Sequence, residues 1–339
     1  MSEPESLPDP PSEAADFQLA SQPHDAYFKQ VFSDPAHAAA FFRSHLPAPV
    51  SSAIQWQELA VVPGSFIKRT LTQTHADLLF SASAGGQKLL LYLLFEHQTT
   101  VDRTMPLRLL VYMTEIWLSH ERAEGLPLPP VIPFVLHQGP EGWNVSTQFA
   151  DLIGMPNEIA EPLRPFLPAF QHGLLDLKRC DPTAEESDPA LRFVLQLMKL
   201  ARERERILEF WEQTAREGCR LPEALLFVCL TYTLHVDASL DVEDLTHRLR
   251  HNPELQRTAM SAAENLFAKG IAKGRVEGRV EGRVEGRVQG EWIGQIRMLE
   301  KIMKRPVSAK AELESKSAEE LEQQFNRLQS EYDAQFKNH

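Results

Sequence analysis

Lys88 to Gln98 reads KLLLYLLFEHQ, a run of large apolar residues that stops abruptly on an acid, an imidazole and an amide. A bilayer-spanning helix takes about 20 apolar residues, so this run is too short to be one. Nor does it alternate, as a strand with one wet face would. The pattern predicts a strand covered on both faces, of the kind a mixed α/β sheet keeps at its centre. Upstream, Ala76 to Ser83 predicts a second apolar strand with Asp77 near its start, and Ala84-Gly85-Gly86-Gln87 supplies the turn. Asp77 and Glu96 are then expected to face each other across a hairpin. Side chains alternate along a strand, so Glu96 and Gln98 share a face and His97 points away. Mg²⁺ takes oxygen ligands and keeps several waters, so two carboxylates suffice when a phosphate completes its shell. The chemistry suggested is metal-assisted phosphodiester hydrolysis. On spacing alone the signal is weak, because an Asp and a Glu on neighbouring strands are more often solvated strand ends.

Further stretches add to it. His24-Asp25 to Lys29, Ala76-Asp77-Leu78-Leu79, Glu96-His97-Gln98 followed by Met105 to Tyr112, and Val131-Ile132-Pro133 to His137-Gln138-Gly139 occur in that order. Together they resemble the Rpn family of recombination-promoting nucleases, also described as transposases, in the PD-(D/E)XK nuclease superfamily. The resemblance covers about Gln22 to Lys178. It implies a DNA endonuclease in which Asp77 and Glu96 hold Mg²⁺ and Gln98 stands where the superfamily has lysine. Glutamine exchanges no proton near neutral pH, so Gln98 is expected to position a water whose pKa the metal lowers. Arg108 and Tyr112, at i and i+4 on one helix face, are expected to contact substrate. Asp25 either assists the metal or, as is commoner for an acid at this place, caps its helix. His137 is either a base or, as is commoner for a lone histidine at a strand end, a hydrogen-bonded structural residue.

The 339 residues are long enough for two domains. The expected fold is α/β, a PD-(D/E)XK nuclease-like mixed sheet with an α-β-β-β-α-β core, followed by a helical region. Residues 1–21, rich in Pro, Ser and Glu, are expected to be a disordered tail. The nuclease-like domain occupies 22–180. Within it Asp34-Pro35 predicts a helix start, Trp56 to Val62 a first strand, and Phe66 to Thr74 a connection. Arg103 to His120 predicts a helix, Val131 to His137 a strand parallel to the Glu96 strand, and Phe170 to Lys178 an edge strand. Asp181-Pro182 to Asp188-Pro189 reads as an acidic linker into a helical region, 181–267. Residues 268–294 hold a Gly-Arg-Val-Glu repeat, and 295–339 a C-terminal helical module.

The repeat places Gly, Arg, Val and Glu in columns that drift slowly round a helix, with like charges at i, i+4 and a glycine in every turn. An isolated helix of this kind is poor. Two readings follow: pairing with another copy to give a homo-oligomer, or a flexible tether. Cys180, Cys219 and Cys229 make no CxxC or pairing pattern, which suggests a cytoplasmic protein. The first twenty residues hold no Lys, Arg or apolar core, and no apolar stretch is long enough for a membrane. The net charge is −12, but residues 22–180 hold 14 acids and 11 bases. DNA contact is therefore expected to be local, through Lys68, Arg69, Arg103 and Arg108 and the metal. The competing reading from another class is a degenerate nuclease fold serving as an oligomerising interaction module.

Overall fold

The computed structural model describes residues 23–63, 76–96, 101–237 and 239–336. The tail, the Phe66 to Thr74 connection with Lys68 and Arg69, and His97 and Gln98 lie outside the described residues. Two compact units divide the chain, 1–264 and 265–339.

Among the described residues of the first unit a five-stranded mixed sheet forms. Its order is β1 (Ala60–Val61), β2 (Ala76–Ala84), β3 (Gln87–Glu96), β4 (Val131–His137), β5 (Gly173–Asp176). Gly85 and Gly86 turn β2 into β3 with φ of 58° and 77°, a left-handed pair that only glycine adopts without strain. That turn sets an antiparallel register running from Ala84 opposite Gln87 to Ala76 opposite Phe95. Helix α3 (Met105–Glu124) then carries the chain back, so β4 lies parallel to β3, and β5 parallel to β4.

β3 is covered on both faces, as its composition requires. Leu90 and Tyr92 join Leu79, Val131 and Val135 against Met105, Leu109, Met113 and Ile116 of α3. Leu89, Leu91 and Leu93 face the other way, into a larger core with Phe80, Phe134 and Leu136. Helices α1 (Pro23–Phe32) and α2 (Pro35–His45) supply Phe28, Phe32, Phe41 and Phe42 to it. Asp34 caps α2 by accepting from the Ala36 amide at 2.8 Å, one of the amides a helix start leaves without a partner.

The same core takes in α4 (Pro189–Leu200), α5 (Arg204–Glu217), α6 (Glu223–Val236), α7 (Val242–Arg248) and the start of α8 (Pro253–Ile302). A polar seam fixes α6 on α1 and the sheet. Tyr27 stacks on Tyr232 at 4.0 Å, His24 Nδ1 lies 2.8 Å from the Tyr232 hydroxyl, and Gln138 Nε2, just past β4, donates to that hydroxyl at 3.1 Å. The stretch expected as an acidic linker is tied down. Asp181 and Asp188 cap helices, and Glu186, 4% exposed, accepts from Ser44 of α2 at 3.0 Å.

Two expected strands are shorter than their composition suggests. Trp56–Glu58 is a turn of 3₁₀ helix, closed by the Leu59 amide on the Trp56 carbonyl, and only Ala60 and Val61 pair. Ile54 bridges Ala84 and Ala60 pairs with Ser81, so the turn takes up residues that the partner strand does not match. β5 ends at Asp176, whose carboxylate accepts the Lys178 amide at 3.2 Å and turns the chain.

In the second unit, Ile293, Ile296 and Leu299 of α8 pack with Leu313, and with Leu321 and Leu328 of α9 (Ala318–Phe336). The Gly-Arg-Val-Glu repeat lies inside α8 as continuous helix, with Val276, Val280 and Val284 about half exposed.

Gly173 tests the aromatic layer. A Cβ there would stand 2.1 Å from Phe134 Cδ2, and Phe134 is held edge-on to Phe41 at 5.2 Å and Phe42 at 6.1 Å. Gly173→Ala is expected to lower the stability read from urea denaturation by about 2–3 kcal/mol; an unchanged midpoint would mean the layer is not close-packed.

Candidate active site

The edge where β3 leaves the core gathers the sequence-predicted residues that are described. Asp77 stands opposite Leu94, not Glu96. Position 96, two residues further along β3, is therefore its diagonal neighbour on the same face of the ladder rather than its direct partner. The side chain of Glu96 lies outside the described residues.

Asp77 is half-buried, and Tyr92 donates its hydroxyl to Asp77 Oδ2 at 2.8 Å. Tyr92 is 1% exposed and meets the edge of Tyr112 at 5.6 Å. Burial pushes the Asp77 carboxyl above its ordinary range, while the Tyr92 hydrogen bond and the charges of Lys29 and Arg108 act against it. Burial, with Asp77 alongside, also pushes the Tyr92 phenol well up. The pair is thus a neutral phenol donating to a carboxylate short of positive charge.

On α3, Arg108 and Tyr112 do share a face, with the guanidinium carbon 6.0 Å from the Tyr112 ring centroid. Arg108 is also committed elsewhere: its Nη1 donates to Asp102 Oδ2 at 2.8 Å. Asp102 accepts from the amide and hydroxyl of Thr104 as well, at 2.8 and 2.7 Å. Burial would raise the Asp102 carboxyl, but these bonds outweigh it and hold it below the usual range.

His137 pairs in register with Glu96 on one side and Asp176 on the other. Its Nδ1 lies 3.0 Å from Asp176 Oδ1, and Asp176 Oδ2 accepts the Trp143 amide at 2.8 Å. The ring is fully buried, edge-on to Trp143 at 5.3 Å. This is the hydrogen-bonded structural arrangement, a clamp between β4 and β5. Asp25 sits buried in the first turn of α1.

Sequence reasoning missed Tyr92 and Asp102. A tyrosine inside a doubly covered strand must find a partner for its hydroxyl, and that was a legible signal. The Asp-x-Thr before α3 was another.

Among the described residues no three His, Cys, Asp or Glu side chains converge as a metal cluster. Asp77 and position 96 offer oxygen donors only. That donor set, with a carboxylate whose anionic form burial disfavours, fits a hard divalent cation accompanied by water or phosphate oxygens.

A family model described as "Putative transposase, YhgA-like" matches residues 22–223. The chain is 32% identical over 122 residues to recombination-promoting nuclease RpnA of Escherichia coli (strain K12), covering 36% of this chain and 42% of that protein. It is 32% identical over 119 residues to the inactive recombination-promoting nuclease-like protein RpnE of the same organism, covering 35% and 40%. A match of 33% over 92 residues, 27% of this chain, takes in 89% of the inactive nuclease-like protein YjiP of that strain. The chain thus spans about two fifths of RpnA and RpnE. No solved structure matches.

The raised Asp77 carboxyl has a consequence for stability. A carboxyl that titrates higher when folded stabilises the fold fully only below its unfolded pKa, about 3.9. That contribution is lost as pH rises through the folded value. Asp77→Asn, which can still accept from Tyr92, is expected to be more stable than wild type at pH 7 by on the order of 0.5–1 kcal/mol. The gap should close near pH 3. Urea melts at both pH values measure it, and an asparagine variant less stable at pH 7 would show that the fold places no penalty on this charge.

Proposed function

The chain belongs to the YhgA-like transposase and recombination-promoting nuclease family, and on that premise we propose that it is a metal-dependent DNA endonuclease with a PD-(D/E)XK core. The observation that carries the reading is the half-buried Asp77 carboxylate, oriented by Tyr92 at the edge where β3 ends in Glu96. Asp77 and Glu96 would hold Mg²⁺. When bound, the cation would neutralise charge building on the phosphate and lower the pKa of a water.

The chain's own groups do the rest. Tyr92 fixes the Asp77 rotamer and keeps one of its oxygens occupied, leaving the other for the cation. Gln98 would orient the attacking water through its amide. Tyr112 backs Tyr92, and Arg108 would turn to a substrate phosphate only by sharing its guanidinium with Asp102. A cytoplasmic setting goes with three free thiols and with the absence, among the described residues, of any helix long and apolar enough to cross a membrane.

That Arg108–Asp102 pair also favours the second reading, a degenerate fold acting as an interaction module, since it takes up the cation best placed for substrate. RpnE is named inactive. In either reading we take the repeat to join copies of the chain. From Gly274 to Gly290 no Arg and Glu stand three or four residues apart, and the valine column is exposed, so order along it gains from a partner helix.

Incubation with supercoiled plasmid, with and without Mg²⁺, separates the two. Nuclease activity should require the metal and vanish in both Asp77→Ala and Glu96→Ala with folding retained. Gln98→Ala should fall by about 100-fold, as when one transition-state donor is removed, while Gln98→Lys keeps part of the activity. Cleavage in EDTA, or surviving both carboxylate substitutions, would sink the site. For assembly, light scattering should show a lower mass once Gly270 to Gly294 are deleted; an unchanged mass would make the repeat a spacer.

A further inference from the structure

Acid and base are not evenly spread. Residues 265–310 hold eleven Lys and Arg against five acids, in a chain whose net charge is −12. The second unit turns part of this excess outward. Ile293, Ile296 and Leu299 bury one side of the last turns of α8. Beside that buried side, Gly290, Gly294, Arg297, Met298 and Lys301 line a shallow groove with Lys310 at its rim. A Cβ on Gly290 or Gly294 would meet nothing within 4 Å, so the groove floor is open backbone.

Four acids of this unit are committed to other partners. Glu300 is buried at 6% exposure and accepts the amide and hydroxyl of Ser308 at 2.8 and 2.6 Å. Glu331 pairs with Arg305, Glu314 with Lys310 at 3.3 Å, and Glu291 with Arg287 at 3.9 Å. Among the described residues none of Arg297, Lys301 or Lys304 lies within ion-pair distance of a carboxylate, and Arg297 Nε is buried with no hydrogen-bond acceptor. Lys304 also holds a left-handed backbone, φ 57°, at the end of the helix, where glycine is the usual residue.

We propose that this face of the second unit is a binding surface for the phosphodiester backbone of nucleic acid. It borrows only the substrate class from the proposed function. Arg297 and Lys301 are one step of about 6 Å apart along the helix, with Lys304 just beyond. A forked guanidinium followed by point-charge ammoniums suits a run of phosphates, which a duplex presents at one charge per ~1.7 Å of axis. Such contacts carry no base information, so binding is independent of sequence. A membrane surface suits the face less well. An interfacial helix needs a broad apolar side, and here that side is consumed by the unit's own core, leaving Met298 and Ile302 as exposed large apolar residues in these turns. The surface supplies a basic excess that residues 22–180, with 14 acids against 11 bases, lack.

The test uses the full chain in EDTA, with fluorescence anisotropy on a short labelled duplex of arbitrary sequence across a salt series. Arg297→Glu/Lys301→Glu/Lys304→Glu should weaken binding by about tenfold or more and reduce the slope of log affinity against log salt by about 3. Lys301→Gln/Lys304→Gln should fall between it and wild type, and decides the matter if circular dichroism shows the triple variant misfolded. Wild type that fails to bind at low salt, or variants that bind as wild type does, would overturn the proposal. So would a triple variant that loses binding to phosphatidylserine vesicles while keeping the duplex. Absence of metal-dependent plasmid cleavage with duplex binding intact would remove the nuclease reading and leave this surface standing.

Discussion

Burial of β3 on both faces is the constraint from which the first unit follows. Leu89, Leu91 and Leu93 look one way and Leu90 and Tyr92 the other, and each apolar face left wet would cost about 25 cal/mol for every Å² exposed. One cover is local: α3 is the connection that returns the chain to β4, so a single βαβ step buries one face. The other cover is not local. It needs the aromatic residues of α1 and α2 and then helices extending to Ala262. A strand of ten residues therefore binds together segments more than 150 positions apart, and the seam of Tyr27, Tyr232, His24 and Gln138 orients them where apolar contact alone would let them slide.

The same burial shapes the candidate site. Tyr92 brings a hydroxyl into a layer otherwise of hydrocarbon, and a buried hydroxyl without an acceptor is costly. Asp77 accepts from it, and in doing so a carboxylate is held where water is scarce and its own charge is disfavoured. Such a group is stabilised by an arriving cation more than a solvated one would be, which is how a site that binds well can weaken the empty fold. The Arg108–Asp102 pair has the opposite character, two charges already satisfied by each other.

Charge is divided between the units in a way the whole-chain figure hides. The first carries a nearly neutral sheet region, and the basic excess lies in residues 265–310, along a helix whose apolar side is spent on its own small core. The proposed attraction to a polyanion and the proposed chemistry of the carboxylate edge would thus fall to different parts of the sequence.

By itself the sequence determined the elements whose signals are local. KLLLYLLFE has no wet face, so a doubly covered strand was its only economical state. Two adjacent glycines specified the hairpin, Asp34-Pro35 the start of α2, and the helix between two apolar runs made β3 and β4 parallel. Tertiary structure decided what depends on register and on distant partners. The turn makes Ala84 the partner of Gln87, which sets Asp77 opposite Leu94 and so diagonal to Glu96; one residue more in that turn would have changed the geometry without altering any local propensity. Trp56 to Glu58, strand-like in composition, coils because between the Ile54–Ala84 bridge and the Ala60–Ser81 pair the neighbouring strand offers two residues against five. Arg108 found Asp102 six positions away, and the supposed linker found Ser44, because ion pairs and buried acids are settled by whichever group the fold brings within hydrogen-bond reach, and that proximity is written in no single stretch of the chain.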